Sequence, residues 1–257
     1  LKEIHEQHQT IVKSMEQDKK NLEKFCDIIT GAKNIYITGS GTSYHSALLA
    51  KQIFSKSKIH VETIMSSEFQ YSSDLLDENS VLLAISQSGE TADVIQSVKS
   101  AKNMGAKVLS IVNIPTSSIA RLSDSFLEVN CGPEIGVAAT KSFTSQIALL
   151  YYVADIIGRK SNGISTSKEL LTTTVSQVLE LDSQIESVAN QIKGSKDVYI
   201  LGRSLHFPIC LEGALKIKEL SYIHAEGMAA GELKHGPLAL IDNNSIVIVI
   251  HPNDSTY

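Results

Sequence analysis

The sequence predicts an α/β protein in which a parallel sheet is covered by helices on both faces. Apolar segments of strand length alternate with amphipathic segments of helix length along the first half of the chain. The strand segments are continuous apolar runs rather than alternating ones, as expected where both faces of a sheet are covered. The opening segments recur near the end of the sequence, which indicates an internal duplication.

The chain opens with a helical pattern in residues 1–30, where apolar residues recur among charges. The first strand and its polar turn follow as NIYITGSGTS (34–43), and a helix-like segment comes next (46–56). VLLAISQSGET (81–91) repeats this order of strand, turn and helix. Two further strand-length apolar runs lie at 107–118 and 124–130.

A long apolar helix at 140–158 closes this first copy, and the Ser-, Thr- and Gln-rich residues after it (159–195) have the spacing of one or two connecting helices. The pattern then returns: DVYILGRS (197–204) matches NIYITGSG, and DNNSIVIVIHPNDST (242–256) matches DENSVLLAISQSGET. Between these matches, GELKHG takes the place of SEFQYS. The sequence reaches Tyr257 directly after the second turn, so we expect two strands in this copy and an incomplete sheet.

The sequence therefore divides into four predicted regions. These are a helical segment (1–30), a first subdomain (31–158), a helical connection (159–195) and a partial second subdomain (196–257). Because the chain begins at Leu1 rather than Met, we expect it to be a piece of a longer protein.

Composition argues against several classes of function. The formal net charge of -5 gives no electrostatic reason to expect nucleic-acid binding, because nucleic-acid phosphates require a basic face. No apolar run has the length of a membrane span, and the N-terminus lacks the apolar core of a secretory signal. We expect neither nucleic acid nor membrane as a partner. Three cysteines without CxxC spacing, Cys26, Cys131 and Cys210, are expected to be buried thiols of a cytoplasmic protein.

A candidate phosphate site lies at the turn SQSGET (86–91), where an apolar strand ends and a helix begins. Ligands of open α/β sheets bind at this carboxyl edge. Helix-start N–H groups and the hydroxyls of Ser86, Ser88 and Thr91 can together enclose a phosphate, and Gly89 lets the backbone approach it. Serine and threonine also favour helix N-caps, so an ordinary turn without ligand is the alternative.

The turn after the first strand, Gly39–Ser43, places a second set of hydroxyls at the same edge. It does not complete GxGxxG, and no Walker lysine accompanies it, so a small phosphorylated ligand suits the two turns better than a nucleotide. A third glycine-punctuated loop, GPEIGVAATKSFT (132–144), is expected to run to the same edge. Its alternative interpretation is a long loop before a buried helix.

A second candidate site lies in LEGALKIKELSYIHAEGMAAGELKHGPLALI (211–241). The inner stripe of its helix is expected to consist of three leucines, Leu211, Leu215 and Leu220. Lys216 and Glu219, three residues apart, then share another face, where a surface ion pair is the alternative interpretation. The residues that invite a metal interpretation are His224, Glu226, Glu232 and His235. They lack HExxH spacing and are expected in irregular backbone, so we predict no metal site.

Four motifs resemble the isomerase half of the glucosamine-6-phosphate synthases, the isomerising glutamine–fructose-6-phosphate aminotransferases. They are SQSGETAD, GTSYHSA, GPEIGVAATKSFTSQ and EGALKIKELSYIHAEGMAAGELKHGPLALID, in the family's order. The resemblance runs from about residue 1 to residue 253, with a departure at His8, where the family linker has a proline. It implies two sugar-isomerase (SIS) subdomains of flavodoxin-like fold, each a five-stranded parallel sheet between helices.

The resemblance also implies roles for individual residues. The sugar phosphate would be held by Thr42, Ser43, Ser86, Gln87, Ser88 and Thr91, and the sugar site would be lined by Val137 and Ala138. Glu219 corresponds to the proton-transfer carboxylate and Lys216 to the lysine beside it. His235 corresponds to the ring-opening histidine, which in the family reaches a neighbouring subunit's site. The family's Schiff-base lysine and its glutaminase domain have no counterpart in these residues.

The reaction implied by the resemblance joins fructose 6-phosphate and ammonia into glucosamine 6-phosphate, in a homodimer and without metal or redox cofactor. The ammonia would come from glutamine through the glutaminase domain of the parent protein. One alternative is a stand-alone SIS glucosamine-6-phosphate deaminase, which runs the chemistry in the opposite direction. Another is a non-catalytic sugar-phosphate-sensing SIS module, although no helix-turn-helix pattern or basic patch accompanies it here.

Overall fold

The computed structural model describes residues 1–159 and 167–253, and their contacts divide the chain into two compact units. Unit 1 comprises Leu1–Ile135 and Thr140–Ser176, and unit 2 comprises Gly136–Ala139 and the residues from Gln177 onward. None of the helices in the described ranges has both the length and the apolar character needed to cross a bilayer.

Unit 1 opens with three helices, α1 (Lys2–His5), α2 (Gln7–Ser14) and α3 (Lys19–Gly31), which confirms the helical pattern predicted for residues 1–30. Asp18 caps α3, because its carboxylate accepts a hydrogen bond from the backbone N–H of Asn21 at 2.8 Å. The buried face of these helices includes Ile11, Met15, Leu22, Phe25, Cys26 and Ile29. Ile4, one of the predicted apolar positions, is exposed.

The sheet of unit 1 has five parallel strands in the order β2-β1-β3-β4-β5. The strands are β1 (Asn34–Gly39), β2 (Glu62–Met65), β3 (Ser80–Ser86), β4 (Lys107–Val112) and β5 (Ser125–Glu128). Every residue of β3 is buried, as expected for a central strand covered on both faces. β2 was not predicted from the sequence; it is an edge strand whose four residues are all at least partly exposed.

Helices cover this sheet in the predicted alternation. They are α4 (Thr42–Lys56), α5 (Ala92–Asn103), α6 (Ser118–Leu122) and α7 (Lys141–Arg159), with 3-10 helices at Ser66–Tyr71 and Ser73–Leu75. One core cluster joins Leu82 and Val108 of the sheet to Val94 and Val98 of α5, all of them fully buried. Burial of an aliphatic side chain of this size contributes about 1.5–3 kcal/mol. The predicted connecting helices are α8 (Lys168–Leu179) and α9 (Asp182–Ile192); residues 160–166 lie outside the described residues.

Unit 2 contains a parallel sheet of three strands in the order β7-β6-β8. Its elements after α9 are β6 (Asp197–Gly202), α10 (His206–Ser221), β7 (His224–Ala229), 3-10 helices at Ala230–His235 and Pro237–Leu240, and β8 (Ile246–Val249). The expectation of two strands is therefore wrong. The third, β7, has the sequence HAEGMA, and its charges and glycine are untypical of strands.

Unit 2 repeats the opening of unit 1 element by element. The series β6, α10, β7, two 3-10 helices and β8 corresponds to β1, α4, β2, two 3-10 helices and β3. The strand orders β7-β6-β8 and β2-β1-β3 also correspond. The internal duplication predicted from the sequence is thus confirmed.

Candidate functional site

The turns after β1 and β3 lie where the strand order of unit 1 reverses. β1 pairs with β2 on one side and with β3 on the other, and the later strands continue from β3. In sheets of this order, ligands bind outside the carboxyl ends of the two strands at this switch point. Thr38 pairs with Ala84, so the two turns leave the sheet at nearly the same level. The structure therefore brings together the two hydroxyl-rich turns that the sequence singled out.

The turn after β3 is ordered by its own hydroxyls. Ser86 Oγ accepts a hydrogen bond from the N–H of Gly89 at 3.1 Å and lies 3.2 Å from Thr91 Oγ1. Ser88 Oγ accepts a bond from the N–H of Glu90 at 3.2 Å. Thr91 is the N-cap residue of α5, but its side chain makes no capping hydrogen bond. The Thr91 hydroxyl therefore does not act as an ordinary N-cap of α5; it faces the hydroxyl of Ser86 instead.

Gly89 and Glu90 fasten this turn to α6. Gly89 has a φ of +66°, and an added Cβ would come within 2.1 Å of Ser117 Oγ, so the position requires glycine. Its carbonyl accepts a hydrogen bond from the N–H of Ile119 at 3.1 Å. The Glu90 carboxylate accepts one from the N–H of Ser118 at 2.6 Å, and this bond holds the pKa of Glu90 below its ordinary value.

The turn after β1 is packed closely against the start of α4. A Cβ at Gly39 would lie 2.8 Å from the carbonyl carbon of Ser43, so this strand end also requires glycine. Ser43 is buried, and its Oγ accepts a hydrogen bond from Gln146 Nε2 at 3.2 Å. Thr42 is half-buried at the start of the same helix. Gln146 was not among the residues predicted from the sequence, where its one signal was its place in the motif TKSFTSQ.

The loop 132–144 is tied at both ends. Glu134 accepts hydrogen bonds from the N–H groups of Thr140 at 2.8 Å and Ser142 at 3.3 Å, and from the hydroxyl of Ser142. At the other end, Asn113 Nδ2 donates to the carbonyl of Gly132 at 2.8 Å, while the backbone N–H of Asn113 donates to Gln87 at 3.1 Å. Asn113 thus connects this loop to the turn after β3. Two predicted site residues within the loop belong to unit 2, where Val137 is exposed and Ala138 is buried.

In unit 2, one lysine of α10 lies between two carboxylates. Lys216 Nζ is 2.6 Å from Glu219 Oε2 and 3.2 Å from Glu212 Oε1. The exposed fractions of these side chains are 19% for Lys216, 28% for Glu219 and 6% for Glu212. These low exposed fractions do not fit the alternative interpretation of Lys216 and Glu219 as a solvated surface ion pair. Glu212 was not predicted from the sequence, although its spacing of four residues from Lys216 could have indicated it.

Other expectations for unit 2 need correction. Leu220 is 65% exposed, and the buried face of α10 is formed by Cys210 and Ala214, which pack against Val198 and Ile200. The predicted stripe of leucines is therefore wrong, because this other face of the helix covers the sheet. His224 and Glu226 lie in β7 rather than in irregular backbone, and His224 Nδ1 is 2.8 Å from Asp197 Oδ1.

His235 ends the 3-10 helix Ala230–His235, and its side chain is exposed. None of the three cysteines forms a disulfide, and all are buried, as the sequence predicted. Burial raises the pKa of Cys131 to about 12 and that of Cys210 to about 11, which makes both poor nucleophiles near neutrality.

Comparison with known proteins gives a consistent picture. A family model described as the SIS domain matches residues 28–155 and 191–257. A glutamine–fructose-6-phosphate aminotransferase (isomerizing) of Pyrococcus horikoshii is 42% identical over the whole chain, which spans 44% of that relative's length. The solved C-terminal domain of the glucosamine-fructose-6-phosphate aminotransferase from Francisella tularensis is 34% identical, with a TM-score of 0.87 over 99% of this chain and 76% of that one.

A solved glucosamine-6-phosphate deaminase from Thermotoga maritima is also similar. It is 28% identical, with a TM-score of 0.80 over 97% of this chain and 75% of that one. The fold is thus shared between a protein named as an aminotransferase and one named as a deaminase.

Proposed function

The chain belongs to the SIS domain family, and we propose that it carries the sugar-phosphate-converting part of an isomerising glutamine–fructose-6-phosphate aminotransferase. The proposed reaction joins fructose 6-phosphate and ammonia into glucosamine 6-phosphate and water. The observation that carries the proposal is the pair of hydroxyl-rich turns at the switch point of unit 1. The choice among sugar-phosphate reactions is supported by the 42% identity to a named aminotransferase along the whole chain.

Phosphate binding is assigned to the turns of unit 1. Ser86, Ser88 and Thr91 offer hydroxyls, and the first N–H groups of α5 have no side-chain cap among the described residues. Helix N-termini and backbone N–H groups favour anions. Thr42, Ser43 and Gln87 complete this set, as the family resemblance implies. Binding energy from the phosphate would orient the reacting carbons of the sugar.

Proton transfer is assigned to α10 of unit 2. His235 assists opening of the fructose 6-phosphate ring, and ammonia adds at C2 with loss of water. Glu219 then takes the proton from C1 and returns it to C2, while the proton of the C1 hydroxyl passes to the imine nitrogen, which leaves an aldehyde at C1 and an amine at C2. A fixed carboxylate suits this task because proton transfer requires a base within hydrogen-bond reach of the carbon acid. Lys216, 2.6 Å from Glu219, orients that carboxylate. Val137 and Ala138 line the sugar site in this proposal.

The partners belong to the proposal as well. Ammonia would be released from glutamine by a glutaminase domain outside these residues, and the protein would act as a homodimer with His235 serving the neighbouring subunit. The three buried cysteines, none of which forms a disulfide, are consistent with the reducing cytoplasm.

Binding of the sugar phosphate is the direct test of the proposed site. We expect fructose 6-phosphate and glucosamine 6-phosphate to raise the melting temperature of the chain, because ligands that bind only the native state stabilise it. The double substitution Ser88→Ala with Thr91→Ala should abolish this rise. Differential scanning fluorimetry at increasing ligand concentration measures both effects.

Matched hydroxyl deletions provide the control. Thr30 and Ser55 are exposed hydroxyls at the C-terminal ends of α3 and α4, away from the turns. Thr30→Ala with Ser55→Ala should leave the ligand-induced rise intact, and unphosphorylated fructose should give no rise in any variant. A rise that survives Ser88→Ala with Thr91→Ala would show that the phosphate is held elsewhere.

The similarity to the deaminase supports one second candidate, release of ammonia from glucosamine 6-phosphate. The full-length protein that the gene encodes should be assayed both for formation of glucosamine 6-phosphate and for release of ammonia from it. Glutamine-dependent formation of glucosamine 6-phosphate would support the synthase. Ammonia release without any use of glutamine would support the deaminase instead.

A further inference from the structure

Gln146 of α7 joins the start of α4 through two hydrogen bonds of opposite sense. Its Oε1 accepts a bond from the hydroxyl of Ser46 at 2.8 Å, and its Nε2 donates to Ser43 Oγ at 3.2 Å. Gln146 is 1% exposed and Ser46 is wholly buried, so water does not compete for these bonds. In this arrangement the amide oxygen of Gln146 faces Ser46 and the amide nitrogen faces Ser43.

The consequence for Ser43 is a defined direction of its hydroxyl. A serine oxygen that accepts a bond from an amide keeps its own proton for another acceptor. Within the described part of the chain, the bond from Gln146 is the only one that the Ser43 side chain makes. The proton of Ser43 is therefore available at the turn after β1, beside the switch point.

We infer that Gln146 is a positioning residue for phosphate binding: it holds the Ser43 hydroxyl as a donor toward a phosphate oxygen. The inference rests on the proposed phosphate site. It explains why a buried glutamine, whose amide oxygen and nitrogen both need hydrogen-bond partners, lies between two serines of α4. Gln146 does not touch the ligand in this proposal and acts through Ser43.

Two substitutions of Gln146 separate orientation from packing. Gln146→Met keeps the length of the side chain but removes the donor, so Ser43 loses its fixed direction. Ser46 can then donate to the carbonyl of Thr42, which is 3.3 Å away. Gln146→Glu puts an acceptor beside Ser43, which turns the Ser43 proton away from the ligand and adds a negative charge. We expect the Kd for glucosamine 6-phosphate to rise by about two- to tenfold in Gln146→Met, the range of one hydrogen bond, and further in Gln146→Glu.

A double-mutant cycle with Ser43→Ala tests whether Gln146 acts through Ser43. Isothermal titration should show that Gln146→Met weakens binding in the native background but has little effect once Ser43 is alanine. Ser57→Ala is the matched control, because it removes another hydrogen bond of the same helix pair, from Ser57 to the carbonyl of Ala154 at 3.0 Å. It should lower the melting temperature without changing Kd.

The outcomes distinguish this inference from the proposed function. If the native chain binds glucosamine 6-phosphate no better than glucosamine, the proposed phosphate site fails. If it binds the phosphate but both Gln146 variants keep the native Kd, only the role of Gln146 is overturned. An equal loss of affinity from Gln146→Met with and without the Ser43 hydroxyl would mean that Gln146 acts through packing alone, and would also overturn the inference.

Discussion

Glu212, Lys216 and Glu219 form a chain of charges along one face of α10. The Glu212 side chain is 6% exposed. Lys216 Nζ lies 3.2 Å from Glu212 Oε1 and 2.6 Å from Glu219 Oε2. A charge removed from water is costly unless an opposite charge accompanies it. The ammonium thus offsets the burial of Glu212 while it orients Glu219. Stability and the proposed chemistry depend here on the same lysine.

This arrangement predicts unequal effects of two substitutions. Lys216→Met should lower the free energy of unfolding of unit 2 by roughly 3 kcal/mol, because a buried carboxylate loses the ammonium that accompanies it. Glu219→Gln should cost less than about 1 kcal/mol, since the Glu212–Lys216 pair remains. Circular dichroism during urea denaturation is the suitable measurement, because the chain has no tryptophan. Equal stability of Lys216→Met and the native chain would contradict this account.

Residue-level prediction from the sequence succeeded where a local pattern carried the information. The turn at residues 86–91 was located because a strand, a polar turn and a helix follow one another in sequence. Gln146 and Glu212 were missed because their significance depends on partners: Ser43 lies far away in sequence, and the burial of Glu212 follows from packing. No local periodicity marks a buried amide that orients a hydroxyl on another helix.

At the scale of elements, the start of α7 is fixed from two directions. Glu134 accepts bonds from Thr140 and Ser142, and the buried Lys141 lies 2.6 Å from Glu6 at the junction of α1 and α2. The hydrogen bond from Lys141 lowers the pKa of Glu6. Burial is the largest single influence and would lower the pKa of Lys141, but the hydrogen bond to Glu6, the charge of Glu6 and the nearby acidic groups together raise it. The pair joins the N-terminal helices to the helix that carries Gln146.

The Glu6–Lys141 pair predicts a pH-dependent contribution to stability. Because the pKa of Glu6 is lower in the folded chain than its ordinary 4.5, the stability that its carboxylate adds is present above pH 4.5. That contribution is lost as the pH falls through the folded pKa. Glu6→Gln should therefore be less stable than the native chain at pH 7, and the difference should shrink as the pH falls below 4.5. Urea denaturation at several pH values measures it.

Glu23→Gln is the matched control for this experiment. Glu23 also pairs with a lysine, Lys19, but at 3.9 Å and with 61% of its side chain exposed. Exposed pairs of this kind contribute little, so the substitution should change stability by a few tenths of a kcal/mol at most. A difference between Glu6→Gln and the native chain that stays constant from pH 7 to pH 3 would show that the carboxylate charge is not the cause.

Two of the four edge strands in the described residues, β2 and β7, were not predicted from the sequence, whereas the other two, β5 and β8, lie in apolar runs that were recognised. The central strand β3 is a continuous apolar run and was recognised, whereas β2 and β7 include charged residues and lie at sheet edges. An edge strand has one neighbour and less covered surface, so its composition approaches that of a loop. The duplication could have supplied both strands, because SEFQYS and GELKHG follow them at matching positions.

At the scale of the whole molecule, the two copies share backbone geometry but differ in chemistry. Gly41 after β1 and Ser204 after β6 both have a φ of +51°, and each stands two residues beyond the glycine that ends its strand. Around this conserved conformation, the first copy has Ser40, Thr42 and Ser43, whereas the second has Arg203 and Leu205. The proposed function accordingly gives phosphate binding to unit 1 and proton transfer to Glu219 and His235 of unit 2.

The assembly of the whole protein provides the last prediction. If His235 serves the neighbouring subunit, a chain with Glu219→Gln and a chain with His235→Ala should complement each other. Each mutant homodimer has two defective sites. The mixed dimer joins an intact Glu219 from one chain to an intact His235 from the other at one of its two sites. The dimers are made from the full-length protein that the gene encodes. We expect the purified mixed dimer to form glucosamine 6-phosphate with about half of the native activity.

A reciprocal dimer makes this experiment decisive. It combines a native chain with a chain that carries both Glu219→Gln and His235→Ala. If His235 acts on the neighbouring subunit, each site of this dimer contains one defect and activity is absent. If His235 acts within its own chain, the native chain keeps one intact site, so the reciprocal dimer is active and the first mixed dimer is inactive. The same two substitutions therefore give opposite results according to whether they lie on one chain or on two, and effects on folding cannot imitate that reversal.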